Sequence, residues 1–298
     1  MDIVMLGHSA AGKTTYVSLM YAVMREGIEG LSLRAEDPYA HRTLMSAAEA
    51  VLKGRYPHAS DQRAVFELVL QHDGRDVFPF RWRDYRGGAL NERVSNSHQA
   101  EQLHEDLKQA QGIILFADAQ RLLGHSAAPG EVRRMTVHVQ RALDARGKAL
   151  TPIVLALTKC DLVDLDDPHV VERLIAPFRQ LIDGIAATRQ LHGAVVPVSC
   201  GPAPVNVALP VLWSLHFGIV GRSLELRESV DERLEAARRA AARDTVGDRI
   251  SSWWKGEPSW AAISARRRSE AQEEFDRLQP LVAPAERLQT LLEGVAAF

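Results

Sequence analysis

The stretch that decides the fold lies near the start of the chain, where residues 2–16 read DIVMLGHSAAGKTTY. The apolar run at positions 3–6 predicts a buried strand, and the pattern of residues 14–24 predicts the helix that follows it. Between them, residues 7–14 match G-x-x-x-x-G-K-[ST], in which a glycine loop joins a strand to a helix. This order of elements predicts a phosphate-binding loop.

Each residue type in this loop suits a phosphate ligand. The glycines allow successive backbone N–H groups to point inward, where a Cβ would crowd the approach. Lys13 can reach the β- and γ-phosphates, the Thr14 hydroxyl can ligate Mg²⁺, and the start of the helix adds a partial positive charge. The residues predicted to bind the nucleotide here are Gly7, His8, Ser9, Ala10, Ala11, Gly12, Lys13, Thr14 and Thr15.

The composition is that of an ordinary globular chain. Of 298 residues, 46% are hydrophobic and 25% are charged, and the formal net charge is -2. This balance gives no electrostatic reason to expect nucleic acid as a partner. No apolar run is long enough for a membrane span and no signal peptide is recognisable, so a cytoplasmic location is expected. Cys160 and Cys200 both fall within motifs described below, which favours a reducing compartment without a structural disulfide.

Apolar strands alternate with helices through most of the chain. Residues 112–119 (GIILFADA), 152–158 (PIVLALT) and 194–199 (AVVPVS) are near-continuous apolar runs. Such runs, separated by helices, predict an α/β fold with a mostly parallel sheet covered on both faces. The helices predicted in this part of the chain are 40–52, 91–111, 131–146, 170–190 and 204–220.

An antiparallel pair is expected to interrupt the parallel pattern. Alternating apolar residues predict strands over 64–70 and 77–84, and Asp73-Gly74 between them is a hairpin signal. Pro79 cannot donate a ladder hydrogen bond, so we expect a bulge at that position.

Beyond Arg222 the sequence is helical without strands. Apolar residues at 226, 230, 234, 237 and 241 form one stripe on a charged helix, and a last helix is predicted over 266–298. We therefore divide the chain into a domain over 1–221 and a C-terminal helical extension over 222–298. The arginines at 266–268 lie near Trp253, Trp254 and Trp260, a combination that can contact an anionic membrane. We favour instead packing of these tryptophans on the first domain.

A second motif is Asp84-Tyr85-Arg86-Gly87, which ends the second hairpin strand and matches D-x-x-G. In that arrangement the aspartate holds Mg²⁺ and the glycine amide senses the γ-phosphate. Asp84 is therefore predicted to join Thr14 as a Mg²⁺ ligand.

Two further segments discriminate among nucleotides. Thr158-Lys159-Cys160-Asp161 ends an apolar strand and resembles the N/T-K-x-D motif, in which the aspartate accepts two hydrogen bonds from guanine that adenine cannot donate. The stem of Lys159 can lie along the base. Thr158 stands where Asn is commoner and lacks its amide donor, so affinity could be reduced. Ser199-Cys200 follows the next strand and resembles the loop that meets the guanine O6 through a backbone N–H.

Taken in order, these four segments resemble the Ras-like class of P-loop GTPases over roughly residues 1–221. More narrowly, three segments resemble a bacterial double-GTPase type within that class: GKTTY, the Tyr-Pro-x-x-Ser approach to the hairpin at residues 56–60, and DYRGG. The resemblance implies a Mg²⁺-dependent switch that binds GTP and GDP and hydrolyses GTP slowly. It further implies a protein effector or activator.

The sequence departs from the pattern of this class at two points. The threonine that normally closes on Mg²⁺ is absent, and Ser60 is the nearest hydroxyl before the hairpin, with Thr43 a poorer candidate. Gly88 occupies the position of the usual water-orienting Gln. Asn91, Glu92, Arg83 or Arg86 is expected to substitute for it, or a partner supplies an arginine. The catalytic candidates are therefore Lys13, Gly87 and Arg86.

Two other functions remain open at this level. A nucleotide-gated scaffold that binds GTP or GDP without turnover is favoured by Gly88. An ATP-using P-loop enzyme is disfavoured by Asp161. The sequence does not indicate an oligomeric state.

Overall fold

The computed structural model describes residues 1–57, 64–85, 98–144, 150–244 and 258–298. Residues 1–218 and 287–298 form one compact unit, and residues 219–286 form a second. Within the described ranges, no helix combines the length and apolar character that a membrane crossing requires.

One sheet of eight strands is the framework of the described part of the first unit, in the order β2-β3-β4-β1-β5-β6-β7-β8. Pairing is parallel from β4 through β1, β5 and β6 to β7, whereas β2–β3, β3–β4 and β7–β8 are antiparallel. The predicted α/β fold, a mostly parallel sheet with one antiparallel hairpin, is confirmed. The strands are β1 (Asp2–Gly7), β2 (Leu31–Ala35), β3 (Ala64–His72), β4 (Arg75–Asp84), β5 (Gly112–Asp118), β6 (Thr151–Thr158), β7 (Leu191–Pro197) and β8 (Ala296–Ala297).

Helices cover both faces of the sheet. On one face, α3, α5 and α7 pack with Val4 and Leu6 of β1 in a single apolar cluster. On the other face, Tyr16 of α1 packs on Trp82 and Phe116, with ring centroids 6.0 and 4.9 Å away. The helices are α1 (Lys13–Glu26), α2 (Pro38–Leu52), α3 (His98–Gln109), α4 (Ala119–Gly124), α5 (Ala128–Asp144), α6 (Pro168–Ile175), α7 (Arg179–Ala186), α8 (Leu209–Arg243) and α9 (Trp260–Leu291).

The parallel register brings several strand ends to one edge of the sheet. Gly7 pairs with Phe116, Asp118 pairs with Thr158, and Asp84 pairs with Met5. Because parallel strands all end on the same side, the loops that follow them meet there. This edge carries all four motifs identified in the sequence.

Three local predictions needed correction. β2 was not predicted, because it is only five residues long and lies in a mixed polar segment; its residues nevertheless alternate in burial, and it pairs with β3. The register shift falls between Leu70 and Gln71 of the hairpin, whereas Pro79 itself pairs with Val69. The predicted helix over 170–190 is divided into α6 and α7, with a 3₁₀ turn at Ala176–Phe178. Pro177 in that turn lacks the N–H that a continuous helix needs.

The C-terminal segment ends in a strand, although its sequence predicted helix throughout. α9 stops at Leu291, and β8 then pairs with the edge of β7. Gly193 and Phe298 exchange two backbone hydrogen bonds of 3.0 Å. A Cβ on Gly193 would lie 2.2 Å from the ring of Phe298, so the absence of a side chain there makes room for the ring.

We expect Gly193→Val to displace Phe298 and to lower the free energy of unfolding by about 1–2 kcal/mol, because apolar contact at the ring is lost. Chemical denaturation of the full chain measures the effect. Phe298→Ala should cost a similar amount, and the double variant should cost less than the sum of the two. Full additivity would show that the two residues do not act together.

Candidate nucleotide-binding site

A cleft of about 450 Å³ opens at the edge where the strand ends meet. It brings together residues from three of the four predicted segments and the second residue of the fourth. Its lining comprises Ser9, Ala10, Ala11, Gly12, Lys13, Thr14, Thr15, Tyr56, Pro57, Asp84, Tyr85, Gln120, Thr158, Lys159, Asp161, Leu162 and Cys200.

The first two residues of the glycine loop lie outside this lining. Gly7 is packed so closely on β5 that a Cβ would lie 2.8 Å from the Phe116 carbonyl oxygen. The imidazole of His8 faces a smaller adjoining pocket, and its buried Nε2 atom has no hydrogen-bond partner. Their contribution to the cleft is therefore made through the backbone.

The glycine loop is tightly curled. Ala10 and Gly12 both have positive φ angles, of 64° and 83°. Lys13 is buried, and its Nζ donates to the Gly7 carbonyl at 2.8 Å. Burial lowers the pKa of Lys13, and the negative charge of Asp84 partly opposes that shift. A phosphate group in the cleft would provide the negative charge that this buried ammonium lacks.

Thr14 and Asp84 form the part of the cleft that suits a cation. The Thr14 hydroxyl donates to Asp84 Oδ2 at 3.4 Å, while Oδ1 is buried and has no hydrogen-bond partner among the residues that the structure describes. Burial raises the pKa of Asp84, and the charge of Lys13 and the Thr14 hydrogen bond act in the opposite direction. A hydroxyl beside an unsatisfied carboxylate oxygen fits Mg²⁺, which prefers hard oxygen ligands and uses one or two protein groups beside phosphates.

Three predicted residues lie outside the described part of the chain. These are Ser60, the predicted third Mg²⁺ ligand, and the catalytic candidates Arg86 and Gly87. Gly88, Trp253 and Trp254 lie outside it as well.

Thr158 connects the base-reading segment to the glycine loop. Its buried hydroxyl donates to the Ala11 carbonyl at 2.9 Å and lies 3.2 Å from the Ala117 carbonyl. The residue that the sequence marked as lacking an amide donor thus joins β5, β6 and the glycine loop at one point. Thr158 acts here as a support for two loops, with its side chain directed at protein carbonyls.

Lys159 is held by a residue that the sequence analysis missed. Its backbone is left-handed, with φ 58°, and its Nζ forms a 2.5 Å ion pair with Asp118 Oδ2. Asp118 ends β5 and its side chain is 10% exposed. Its other oxygen accepts from the Arg121 N–H at 2.9 Å and so caps α4. The sequence signal was an Asp between an apolar strand and a helix start, which is the position of a helix N-cap.

Asp161 and Cys200, both predicted to contact guanine, line the cleft. Asp161 lies on a 3₁₀ turn, Cys160–Leu162, and is exposed. The backbone N–H of Cys160 donates to the Val198 carbonyl at 3.3 Å, which joins this turn to the segment before Ser199. Burial raises the pKa of Cys160 to about 11 and that of Cys200 to about 12, so both thiols are neutral at physiological pH. Ser199 is buried behind the lining, where its backbone pairs with Val205.

An aromatic residue from the segment after α2 was also missed. Tyr56 lines the cleft and is 57% exposed. Its hydroxyl lies 3.3 Å from the position that a Cβ on Gly201 would occupy, so it reaches across to the loop after β7. A flat aromatic ring at this place can pack against a nucleobase. The sequence marked Tyr56 only as part of the Tyr-Pro-x-x-Ser segment of the family resemblance, and predicted no contact with the nucleotide for it.

A glycine loop with a buried lysine, a hydroxyl–carboxylate pair and an exposed aspartate on the base side together define a P-loop protein of the GTP-binding class. A comparison with protein families agrees with this class. The model of the Double-GTPase 1 family matches residues 4–165, and the chain belongs to that family.

Comparison with solved structures gives distant likenesses. The signal recognition particle receptor SRb-GTP/SRX complex from Chaetomium thermophilum is 16% identical, with a TM-score of 0.42 over 72% of this chain and 96% of that chain. Bacterial selenocysteine-specific elongation factor EF-Sec is 16% identical, with a TM-score of 0.35 over 67% and 25%. A GTP-binding protein from Sulfolobus solfataricus in complex with GDP is 14% identical, with a TM-score of 0.35 over 67% and 46%. A comparison with curated proteins found no match.

We expect Thr158→Val to weaken GTP binding by about five- to thirtyfold, because the loss of one buried hydrogen bond costs about 1–2 kcal/mol. Isothermal titration calorimetry measures the affinity. Thr158→Ser keeps the hydroxyl and should stay within about threefold of the wild type. Equal losses in both variants would contradict a role for the hydroxyl.

Asp118→Ala should reduce GTP affinity by about tenfold, because Lys159 loses the carboxylate that orients it. Lys159→Ala should cause a loss at least as large. If Asp118 acts through Lys159, the double variant should resemble Lys159→Ala alone. Independent losses that multiply in the double variant would show that Asp118 does not act through the lysine.

Proposed function

We propose that this chain is a Mg²⁺-dependent guanine-nucleotide switch that hydrolyses GTP to GDP slowly. The observation that carries the proposal is the cleft itself, which places the buried ammonium of Lys13 and the exposed carboxylate of Asp161 on one continuous surface. The first group suits a polyphosphate and the second suits the donor edge of guanine. GTP and GDP are the ligands that combine the two.

At the phosphate end, the backbone N–H groups of residues 7–15 and Lys13 hold the β- and γ-phosphates. Thr14 and Asp84 would hold Mg²⁺, which neutralises charge on the phosphates when bound. Lys13 now donates to the Gly7 carbonyl, so nucleotide binding requires its ammonium to turn from that oxygen to the phosphates. Nucleotide binding is favoured because the ammonium exchanges a neutral carbonyl acceptor for charged phosphate oxygens.

At the base end, Asp161 accepts from the ring N–H and the exocyclic amine of guanine. The stem of Lys159 lies along the base, since its ammonium is held by Asp118. Tyr56 closes the cleft on the side of α2, and the backbone near Ser199 and Cys200 is placed to meet the guanine O6. Adenine lacks both donors that Asp161 would accept from, so ATP is disfavoured.

Hydrolysis is proposed to be slow because Gly88 replaces the usual water-orienting Gln. Ser60 remains the proposed third Mg²⁺ ligand, and Gly87 and Arg86 remain the proposed groups near the γ-phosphate. An arginine from a partner is the alternative source of charge stabilisation. Gly88 in place of the usual Gln also supports a second candidate function, a scaffold that binds GTP without turnover.

The remaining proposals concern location and partners. We propose a cytoplasmic location. We also propose a protein effector, which contacts the segments after α2 and β4 or the helices beyond residue 221. Nucleic acid is not proposed as a partner, because the net charge of -2 offers no general attraction to phosphate backbones.

The test is product analysis after incubation of pure protein with Mg²⁺ and either GTP or ATP. We expect GDP to form from GTP and no ADP to form from ATP. The rate should be well below that of a GTPase stimulated by an activator protein. Lys13→Ala and Asp161→Ala should each reduce nucleotide affinity by at least about tenfold, because each variant loses one charged contact with the nucleotide. Asp166→Ala is the matched control, because it removes an exposed carboxylate five residues from Asp161 outside the cleft lining.

The outcomes separate the candidate functions. GTP retained by wild type without GDP formation would support the scaffold and exclude the hydrolase. Equal use of ATP and GTP would overturn the role of Asp161. If chelation of Mg²⁺ left GTP affinity unchanged, Thr14 and Asp84 would not hold a metal.

A further inference from the structure

The second unit contains a pair of antiparallel helices from α8 and α9. Arg233 of α8 donates to Glu270 at 2.7 Å and to Glu274 at 3.5 Å on α9. Further along α8, the Arg243 guanidinium lies 5.3 Å from the ring centroid of Trp260. Residue numbers increase in opposite directions along the two helices, so residues 237–244 lie beside residues 258–269.

Charge is divided between the two ends of this pair. The basic half, residues 237–244 and 258–269, carries six arginines and one carboxylate. The acidic half, residues 219–236 and 270–286, carries ten carboxylates and four arginines. The net charge of the unit is close to zero, but positive charge is concentrated in one half and negative charge in the other.

Many of these charges are exposed and form no ion pair within the described residues, although Glu235 lies one helical turn from Arg238 and Arg239. The arginines of the basic half without a carboxylate partner are Arg238, Arg239, Arg243 and Arg268. The carboxylates of the acidic half that form no ion pair with a cation are Glu228, Asp231, Glu232, Glu235, Glu273 and Asp276. Two complementary sets of free charges are therefore present on one unit.

The apolar side chains of this unit are incompletely covered. Small residues are prominent in its interior, where Ala237, Ala240, Ser264 and Ala271 are buried. Leu224, Phe275 and Val282 are 50%, 43% and 49% exposed, and all three lie in the acidic half. Phe275 and Val282 are seven residues apart and so share one face of α9. The two described helices of this unit leave these side chains exposed, and a four-helix bundle covers more apolar surface than a pair of helices.

We propose that a second copy of this chain covers the second unit, with the basic half of each copy facing the acidic half of the other. A two-fold axis produces this arrangement, because it places the same two surfaces against each other in opposite directions. The two pairs of helices then form a four-helix bundle, in which the free arginines meet the free carboxylates and the exposed apolar side chains are covered.

The distribution of charge favours a second copy over an anionic membrane. A phospholipid surface would attract the basic half alone and would repel the free carboxylates of the other half. It would also leave Leu224, Phe275 and Val282 in water. A second copy satisfies both halves at once.

Sedimentation velocity of the full chain tests the proposal. We expect dimers at about 0.05 M salt and a dissociation constant at least about tenfold weaker at about 0.5 M salt, since exposed charge pairs are screened. The charge-reversal variants R238E/R239E/R268E and E228R/E232R/E235R should each be monomeric, because like charges then face each other. An equimolar mixture of the two variants should restore dimers, which neither a folding defect nor a local structural role would produce.

A matched control is R25E/R42E/R75E, which reverses three exposed arginines of the first unit and should leave the dimer intact. Circular dichroism checks that each variant keeps its helices. A wild type that stays monomeric at every salt concentration overturns the proposal, as do reversal variants that fail to dimerise on mixing. Monomeric binding to phosphatidylserine vesicles would overturn it by assigning the basic half to an anionic membrane.

Discussion

The candidate site depends on one buried hydroxyl. Thr158 Oγ1 lies within hydrogen-bond distance of the Ala11 and Ala117 carbonyls, so it joins the glycine loop to the ends of β5 and β6. The glycine loop and the segment after β6 are thereby fixed relative to each other by direct contact. The proposed nucleotide contacts both segments, and its affinity depends on their spacing. The same small side chain also leaves space for Gly12, whose Cβ position would lie 3.7 Å away.

Two charged residues show that this cleft is arranged for binding at some cost to stability. Burial lowers the pKa of Lys13 and raises that of Asp84, so both charged forms are disfavoured in the folded protein. Burying a charge is costly unless partners compensate it. Their mutual attraction offsets part of the cost, and a phosphate with Mg²⁺ would offset more. Ionisable groups in a cleft whose pKa is shifted by burial and by a charged neighbour are typical of functional sites.

The motifs were predictable because each is local. The glycine loop needs its residues in one continuous stretch between a strand and a helix, and Thr158 to Asp161 follow a strand that is apolar throughout. Residues that act across the sheet were harder to predict. Asp118 reaches Lys159 through the pairing of β5 with β6, and Tyr56 reaches the loop at Gly201 from the end of α2. Neither contact leaves a periodic or spacing signal in the sequence.

By itself the sequence determined the α/β class and the places of the glycine loop and of residues 158–161 at strand ends, because strand periodicity and loop composition are properties of neighbouring residues. The tertiary structure decided the rest. It added β2 and β8 at the two edges of the sheet, where pairing with a neighbour outweighs weak local preference. It also continued α8 across the predicted domain boundary and returned residues 287–298 to the first unit. These features depend on contacts between residues far apart in the chain, and such contacts exist only once the sheet has formed.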